Sequence, residues 1–393
     1  MIDQLDAEPL PRPSAEALAH SDRMRTRIRD AIAASGGAIR FAEFMDLALY
    51  APGLGYYSAG ATKFGAAGDF VTAPEISGVF AECLASGFAE VLGTTGGDIV
   101  ELGAGTGVLA AGLLGALEAR GVLPERYRIV EVSADLKERQ RRLIAEEAPA
   151  MSNRVEWLDA PPAAVDGVIV ANEVLDALPV ERFRVTDTGG EYLGVSGGDR
   201  GLRWVTLAGD EPLRRQLQVI EQTIGARLPH GYVSEWCPPL SPMVADLSSR
   251  LQRGLLMFVD YGLPRRELYH PQRDRGSLIC HYRHRAHADP FLFPGLQDIS
   301  AWVDFTAVAE SAASAGLVLD GFTTQANFLI DSGLPDPEAR AGGDLRSRVE
   351  LSRQVAALTL PGEMGERFKV MAFSRDWDGR LPGLTGKDLS GSL

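Results

Sequence analysis

The hydrophobic positions of this chain follow a helical pattern at its start. In residues 22–34, Met24, Ile28 and Ile32 recur every four positions, which predicts an amphipathic helix. A second helix is predicted at about 40–50, before a turn-rich run. The chain therefore begins with a helical extension.

Beyond residue 97, short apolar runs alternate with helical stretches. Near-continuous apolar runs are typical of strands that are buried on both faces of a parallel sheet. The predicted strands lie at 98–103, 127–131, 154–158, 167–171 and 254–260. Two later elements, around 317–326 and 366–374, would close the sheet as an antiparallel hairpin. This alternation predicts an α/β fold.

Other stretches depart from the alternation. Residues 173–253 carry short alternating runs broken by glycine pairs, which predicts a β-rich insertion. Residues 261–300 lack periodicity, and a long irregular loop of this kind is often functional, so we interpret it as a substrate loop. The predicted domains are an N-terminal arm with helices at 1–67 and a main domain at 68–374. Residues 375–393 are predicted to form a flexible tail.

Composition excludes some functional classes. Of the 393 residues, 45% are hydrophobic and 23% charged, which allows a sizeable core. The net charge of −14 argues against general nucleic-acid binding, because phosphate contacts need clustered Lys and Arg. The three cysteines (Cys83, Cys237 and Cys280) are widely spaced, which favours free thiols. No stretch reaches the ~20 apolar residues of a membrane span. Residues 1–8 carry acids where an import signal carries basic residues, which favours a bacterial cytoplasm over the mitochondrial matrix.

A glycine-rich turn follows the first predicted strand and opens a helix. It starts at Glu101, which we predict to contact the cofactor, and it places Gly103, Gly105 and Gly107 where bare backbone can approach a ligand. The dinucleotide fingerprint G-x-G-x-x-G needs its third glycine at 108, where this chain has Val108. E-x-G-x-G-x-G is instead the turn of class I methyltransferases, where it holds the methionine part of S-adenosyl-L-methionine (SAM). The alternative is a plain glycine-rich turn in another α/β enzyme.

Two acids follow the next two predicted strands. Glu131 ends the second strand, at a position that faces the ligand crevice of a doubly wound sheet, and could accept both ribose hydroxyls of an adenosine group. The alternative is an acid favoured by a helix dipole. Asp159, just past the third strand, is similarly placed to meet the adenine amino group, although an acid after a strand is common.

The loop at 68–76 allows two interpretations. Thr72-Ala73-Pro74-Glu75 is a capping box with proline in the first helical turn, which explains Thr72, Pro74 and Glu75 without a ligand. The competing interpretation is that Asp69, Thr72 and Glu75 close over the ammonium group of the cofactor. From these residues alone, the structural interpretation is favoured.

Acidic residues follow the fourth predicted strand, where methyltransferases bring the acceptor to the methyl group. Enzymes that methylate adenine or glutamine nitrogens carry an Asn/Asp-Pro-Pro-aromatic turn there, whereas this chain has Asn172, Glu173 and, after two apolar residues, Asp176. A guanidinium has no free lone pair, so an enzyme must orient it and draw its charge to one side. One carboxylate can do this while a second takes the proton. The two acids share a face if the segment is helical; the alternative is an ordinary acidic helix start.

His281, His284 and His287 lie in an arginine-rich segment at 265–287. A zinc site is conceivable, but the cationic neighbourhood repels a metal and no second cysteine lies at ligand spacing, so we predict none. The segment has six arginines and two acids, a local charge of +4. This charge fits either a docking patch for an acidic partner or a solvated loop.

Taken together, these segments resemble the MidA family of SAM-dependent methyltransferases, which includes the mitochondrial complex I assembly factor. The matching stretches run from about 40 to 374, and the blocks at 68–77 and 172–179 are the most specific. The resemblance implies a class I methyltransferase fold, which is Rossmann-like with a mostly parallel seven-stranded sheet and an antiparallel last strand. It also implies that residues of the 68–76 loop contact SAM, namely Asp69, Thr72, Pro74 and Glu75.

The activity implied by the resemblance is protein arginine methylation. In the mitochondrial members the target is an arginine of the large quinone-module subunit of complex I, which receives symmetric dimethylation. We therefore predict that Glu173, helped by Asp176, orients a guanidinium beside SAM, that Asn172 lies near the sulfonium, and that the partner is a protein such as a complex I (NADH dehydrogenase) subunit. The alternatives are another nitrogen or small-molecule acceptor, or a SAM-binding assembly factor that acts by holding its partner.

Overall fold

The computed structural model describes residues 10–58, 71–198, 201–334 and 345–393. The α-helices are α1 (Ala15–Ala34), α2 (Phe41–Tyr50), α3 (Ala73–Ile76), α4 (Gly78–Thr95), α5 (Val108–Ala119), α6 (Ala134–Glu147), α7 (Glu211–Ile224), α8 (Leu240–Arg250), α9 (Arg265–Leu268), α10 (Phe305–Ser314), α11 (Gln325–Asp331) and α12 (Leu345–Thr359). The strands are β1 (Asp98–Leu102), β2 (Tyr127–Val130), β3 (Val155–Leu158), β4 (Val165–Asn172), β5 (Glu181–Thr186), β6 (Gly189–Gly198), β7 (Gly201–Ala208), β8 (Val233–Trp236), β9 (Leu251–Leu263), β10 (Ile279–Tyr282), β11 (Arg285–His287), β12 (Asp298–Ser300), β13 (Val303–Asp304), β14 (Val318–Thr324) and β15 (Phe368–Arg375).

The chain folds as two compact units that are discontinuous in sequence. Unit 1 comprises Met1–Phe70, Asp176–Leu240 and Leu263–Phe305, and unit 2 comprises Val71–Leu175, Ser241–Gly262 and Thr306–Leu393.

Unit 2 is built on a sheet with the strand order β14-β15-β9-β4-β1-β2-β3. The neighbours from β9 to β3 pair in parallel, whereas β15 runs antiparallel to both β9 and β14. Central strands such as β4 are apolar and buried, and helices α4 and α5 share a hydrophobic core with the face of β4 that carries Val168 and Val170. This arrangement confirms the predicted class I methyltransferase fold with its antiparallel last strand.

Unit 1 contains the N-terminal helices and the predicted β-rich insertion. Helices α1 and α2 bury Met24, Ile28 and Phe44 in a core that also includes Val195 of β6. The insertion forms a four-stranded antiparallel sheet in the order β7-β6-β5-β8. Helix α7 packs Leu213 and other apolar residues into a second core of this unit.

The segment that the sequence analysis interpreted as irregular is partly a sheet. Strand β10 pairs antiparallel with β11 and β12, and the β10–β11 hairpin turns at Arg283 and His284. Both turn residues have positive φ angles, 48° and 60°, as a tight hairpin turn requires. Within the arginine-rich segment, Arg265 is buried and its Nε donates to Asp304 Oδ2 at 2.8 Å, so it adds nothing to the exposed charge. Among the described residues, no trio of His, Cys, Asp or Glu side chains is arranged to hold a metal ion.

The tail predicted to be flexible is instead packed against unit 2. Trp377 and Leu381 are buried in the hydrophobic core, and the Leu389 amide donates to the Phe322 carbonyl at 2.6 Å. The prediction of a flexible tail was wrong, because the many glycine, proline and polar residues of this stretch outweighed its few apolar residues in the sequence pattern. None of the described helices combines the length and the apolar character that a membrane crossing requires.

Candidate cofactor and methyl-transfer site

The glycine turn of unit 2 joins β1 to α5 and exposes bare backbone. Gly103, Gly105 and Gly107 have φ angles of 62°, 53° and 92°, in the left-handed region that favours glycine. A Cβ added at Gly103 would lie 3.3 Å from Val174 Cγ2, and one added at Gly107 would lie 3.2 Å from Gln140. The turn therefore needs glycine for its conformation and for its close neighbours.

Glu131 lies one residue past β2 and belongs to a hydrogen-bond network that includes the glycine turn. Its Oε1 accepts from the Ser133 amide at 2.8 Å, and its Oε2 accepts from Gln140 Nε2 at 3.3 Å. Gln140 Nε2 also donates to the Gly105 carbonyl at 2.9 Å, and Trp157 Nε1 donates to Gln140 Oε1 at 2.9 Å. Burial raises the pKa of Glu131, although these hydrogen bonds oppose that rise. Gln140 could not be predicted from the sequence, because a glutamine inside a polar helix carries no distinguishing local pattern.

Glu101 lies in β1 and is almost fully buried. The Tyr127 hydroxyl of the neighbouring strand β2 donates to Glu101 Oε2 at 2.6 Å. Burial raises the pKa of Glu101 to about 7, while the Tyr127 hydrogen bond opposes the rise and the charge of Glu131 adds to it. The cofactor contact predicted for Glu101 stays a prediction; in the structure, its carboxyl group joins two strands.

The residues 72–75 connect the start of α3 to the glycine turn. Thr72 caps α3 and Pro74 lies in the first helical turn, while Glu75 Oε2 accepts from the Thr72 amide at 3.2 Å. This is the hydrogen bond that a capping box predicts. Glu75 Oε1 also accepts from the Thr106 hydroxyl at 3.1 Å. The same carboxylate thus serves both a helix cap and the glycine turn.

The segment after β4 is a tight turn held by a buried carboxylate. Glu173 has a φ of 53°, an uncommon conformation for a non-glycine residue. Asp260 of β9 is 1% exposed, and its Oδ2 accepts from the amides of Val174 at 3.2 Å and Leu175 at 2.8 Å. Its Oδ1 accepts from the Tyr261 amide at 2.9 Å. The turn is not helical, so Glu173 and Asp176 do not share a helix face.

Asn172 is the last residue of β4 and has one oxygen that no described group satisfies. Its Nδ2 donates to Glu173 Oε1 at 3.3 Å, whereas its buried Oδ1 has no hydrogen-bond partner among the described residues. A buried acceptor without a partner is rare in proteins. The Asn172 side chain is therefore suited to a ligand atom at this edge of the sheet.

The remaining predicted site residues have separate surroundings. Asp159 is exposed and accepts from Lys137 Nζ at 2.5 Å, and this hydrogen bond lowers the pKa of Asp159. Asp176 belongs to unit 1, where it is buried and its carbonyl accepts from the Ala301 amide at 3.1 Å. Asp69 lies outside the described residues. The roles predicted for these three acids stay predictions.

These features fit SAM. Gly103, Gly105 and Gly107 bring backbone without side chains to the carboxyl end of β1, where the methionine part of SAM would bind, and their positive φ angles favour glycine at all three positions. A carboxylate has about four lone-pair positions, so Glu131 can accept ribose hydroxyls in addition to Ser133 and Gln140. The unsatisfied Asn172 oxygen lies at the end of β4, beside β1 in the sheet. Ligands of open α/β sheets bind at the carboxyl ends of the strands, where these groups lie.

The fold and this site define a class I SAM-dependent methyltransferase. A family model described as an S-adenosyl-L-methionine-dependent methyltransferase matches residues 82–323, more than half of the chain. The chain belongs to this family, which confirms the predicted family and the predicted cofactor.

Individual proteins show the same relationship. Mouse "Protein arginine methyltransferase NDUFAF7, mitochondrial" is 29% identical over 375 residues, which cover 86% of this chain and 81% of the mouse protein. The human protein of the same name is 28% identical, with 86% and 80% covered. A crystal structure from Burkholderia thailandensis, bound to S-adenosyl-homocysteine, is 43% identical, covers 98% of this chain and 100% of its own, and has a TM-score of 0.93.

Proposed function

We propose that this protein transfers a methyl group from SAM to an arginine side chain of a protein. We further propose that it acts in a bacterial cytoplasm on a complex I subunit, with symmetric dimethylation as the product. The names of the mouse and human relatives support arginine as the acceptor, and the resemblance to MidA proteins supports the complex I target. The structural observation that carries the proposal is the strained turn that presents Glu173 after β4.

The first requirement is to hold the methyl donor. When bound, SAM supplies an electrophilic methyl group on its sulfonium sulfur. The bare turn at 103–107 would take the methionine end, Glu131 the ribose hydroxyls, and Asn172 Oδ1 would accept near the sulfonium. Holding both reactants in line supplies much of the rate enhancement, because it removes the entropy cost of a bimolecular step.

The second requirement is to activate the acceptor. The positive charge of a guanidinium is spread over three nitrogens, so none of them is a good nucleophile. A carboxylate that binds two of its N–H groups draws the charge to one side and leaves the third nitrogen richer in electrons. Glu173 is the carboxylate at the end of β4, and its Oε1 is already turned toward Asn172 by a hydrogen bond of 3.3 Å. Asp176 is proposed as the second carboxylate, which would take the departing proton.

The experiment is a methyl-transfer assay on bacterial lysate proteins with methyl-labelled SAM, followed by mass spectrometry. We expect label on arginine, and we expect Glu173→Gln to lower its rate at least ~100-fold, a usual loss when a general acid–base or charge-stabilising group is removed. The affinity for SAM should change little, and Glu118→Gln on the exposed side of α5 is the matched control. Label only on small metabolites, or only on other residue types, would overturn the proposal.

A separate measurement distinguishes catalysis from holding a partner. In cells that lack this gene, the wild-type protein should restore complex I assembly and the Glu173→Gln variant should not. A variant that restores assembly without methyl transfer would show that the protein acts by binding its partner.

A further inference from the structure

Unit 1 contains a group of half-buried tyrosines and buried polar residues, of which the proposed methyl transfer uses only Asp176. We call it the tyrosine–aspartate cluster, and its members are Tyr50, Tyr57, Asp176, Asp298 and Ser300. The rings of Tyr50 and Tyr57 stack with centroids 5.5 Å apart and planes at 23°. The Tyr57 hydroxyl donates to Asp298 Oδ1 at 2.8 Å, and the Tyr50 hydroxyl donates to the carbonyl of the residue after Asp176 at 2.9 Å.

The short strand β12 explains why polar side chains are buried here. Side chains alternate along a strand, so Ile299 points to one face while Asp298 and Ser300 share the other. Ile299 is fully buried in the apolar core, which leaves the opposite face of β12 for the two polar residues. His281 lies opposite Asp298 in the sheet, with Nδ1 3.9 Å from Asp298 Oδ2. Burial lowers the pKa of His281 to about 4, so this histidine is neutral at pH 7.

Ser300 supplies an independent indication of a ligand. Its side chain is fully buried, and its Oγ has no hydrogen-bond partner among the described residues. Leaving a buried hydroxyl unsatisfied is unfavourable, so such groups usually face a water or a ligand atom. Because Ser300 shares its strand face with Asp298, this hydroxyl points to the same side as the carboxylate.

The electrostatics of the cluster favour a cation. Burial is the largest cause of the raised pKa of both Tyr50 and Tyr57, and the charges of Asp176 and Asp298 raise both values further. Two carboxyl groups beside the rings can therefore offer negative charge to a cation. Both tyrosine residues are half-buried, so part of each of them is accessible to solvent.

We propose that the tyrosine–aspartate cluster binds a guanidinium group, namely an arginine side chain of the protein substrate. Asp298 and Asp176 would balance its charge, its planar face would stack on the tyrosine pair, and Ser300 Oγ would accept one N–H. A guanidinium fits better than an ammonium, because it is planar, is more weakly hydrated and stacks on aromatic rings. The inference rests on the proposed function for the source of this arginine.

The test uses calorimetry on the full-length protein with N-acetyl-arginine methylamide, and with the citrulline compound as its neutral isostere. We expect the arginine compound to bind at least ~10-fold more tightly than the citrulline compound, since charged hydrogen bonds contribute about 1.5–3 kcal/mol and ~1.4 kcal/mol is tenfold. Asp298→Asn should remove most of this preference, whereas Asp187→Asn, which changes an exposed acid of the same unit, should not.

Two milder substitutions guard against misfolding. Tyr57→Phe and Ser300→Ala each remove one polar atom with little change in volume, and each should weaken the arginine compound about threefold to tenfold while the affinity for SAM is unchanged. If Asp298→Asn loses SAM binding as well, the affinities of Tyr57→Phe and Ser300→Ala for the arginine compound test whether the cluster binds a guanidinium. Equal binding of the arginine and citrulline compounds by the wild type would overturn the inference.

The result also distinguishes this inference from the proposed function. Methylation of protein arginine with a KM that Asp298→Asn and Ser300→Ala leave unchanged would overturn the inference and keep the proposed function. Arginine-specific binding that depends on Asp298, with no label on protein arginine, would overturn the proposed function and support the cluster as a guanidinium site.

Discussion

Replacing Asp260 by Asn tests whether one buried carboxylate holds the turn that carries Glu173. The two Asp260 oxygens accept from three backbone amides, those of Val174 and Leu175 on one side and Tyr261 on the other. Asparagine has the same shape but only one acceptor oxygen. Either orientation of its amide group therefore directs an NH₂ at one or two backbone N–H groups.

The expected destabilisation follows from these contacts. In the better orientation, the Asn oxygen keeps the bonds to Val174 and Leu175, which weaken because they are no longer to a charged group. The bond to Tyr261 is lost, and its buried N–H has no acceptor. Taking about 1.5–3 kcal/mol for a hydrogen bond to a charged group and about 1 kcal/mol for a neutral one, the free energy of unfolding should fall by ~3 kcal/mol.

The same substitution should reduce methyl transfer more than SAM binding. Glu173 has a φ of 53°, and such a conformation costs about 1–3 kcal/mol that the surrounding contacts must offset. Once the Asp260 contacts weaken, the turn relaxes and the Glu173 carboxylate loses its orientation. We expect kcat to fall at least ~10-fold, since small misplacements of a positioning group have effects of this size. The affinity for SAM should fall less than kcat, because Glu131, which would hold the ribose, is held by Ser133 and Gln140 and not by this turn.

Urea unfolding monitored by tryptophan fluorescence measures the first effect, and single-turnover methyl transfer measures the second. Asp135→Asn is the matched control, because Asp135 pairs with Arg139 on the surface of α6 and exposed pairs contribute only about 0–1 kcal/mol. If Asp260→Asn unfolds within ~0.5 kcal/mol of the wild type, the carboxylate does not hold the turn and the reasoning fails.

Three further changes test other parts of the molecule. Glu101→Gln should stabilise the protein at pH 8 but not at pH 4. The folded-state pKa of Glu101 is about 7 against an ordinary 4.5, so the wild type loses up to ~3 kcal/mol of stability as the pH rises between these two values. Equal urea midpoints of the two proteins at pH 8 would contradict this prediction. Glu131→Gln should weaken SAM binding about 10- to 100-fold in calorimetry, since hydrogen bonds to a charged group contribute about 1.5–3 kcal/mol each. The control Glu156→Gln, on the partly exposed β3, should leave SAM binding unchanged. An unchanged affinity of the Glu131→Gln variant would show that Glu131 does not contact the cofactor. Trp377→Ala should lower the free energy of unfolding by about 3–5 kcal/mol because the side chain is 5% exposed in the core, and a loss below ~0.5 kcal/mol would show that the tail is not packed.

The sheet of unit 2 could be predicted because its signals are local. Short apolar stretches such as Ile99-Val100 and Ile129-Val130 mark buried strands, and the predictions at 98–103 and 127–131 correspond to Asp98–Leu102 and Tyr127–Val130. The glycines from 103 to 107 are recognisable for the same reason, because each has a positive φ that other residues avoid.

Other features depend on contacts that are distant in sequence. Gln140 of α6 donates to the Gly105 carbonyl, which is 35 residues away in the sequence, and only the fold brings the two together. Trp377 of the tail lies in a hydrophobic core whose other members come from many segments of unit 2. The β10–β11 hairpin turns at Arg283 and His284, which lack the Asn-Gly or Gly-Gly signal of such turns, so the sequence analysis interpreted the segment as a loop.

This difference separates the two halves of the candidate site. The half that would bind SAM can be predicted from local sequence, since the glycine turn and Glu131 each come directly after a predicted strand. The half that would bind the methyl acceptor cannot be predicted in this way. The conformation of Glu173 depends on Asp260, whose carboxylate accepts from the Val174 amide although the two residues are 86 positions apart. A substitution in β9 could therefore redirect Glu173 without changing any residue of the turn itself. A fold can keep its donor site while its acceptor changes, so the resemblance is stronger support for SAM than for arginine.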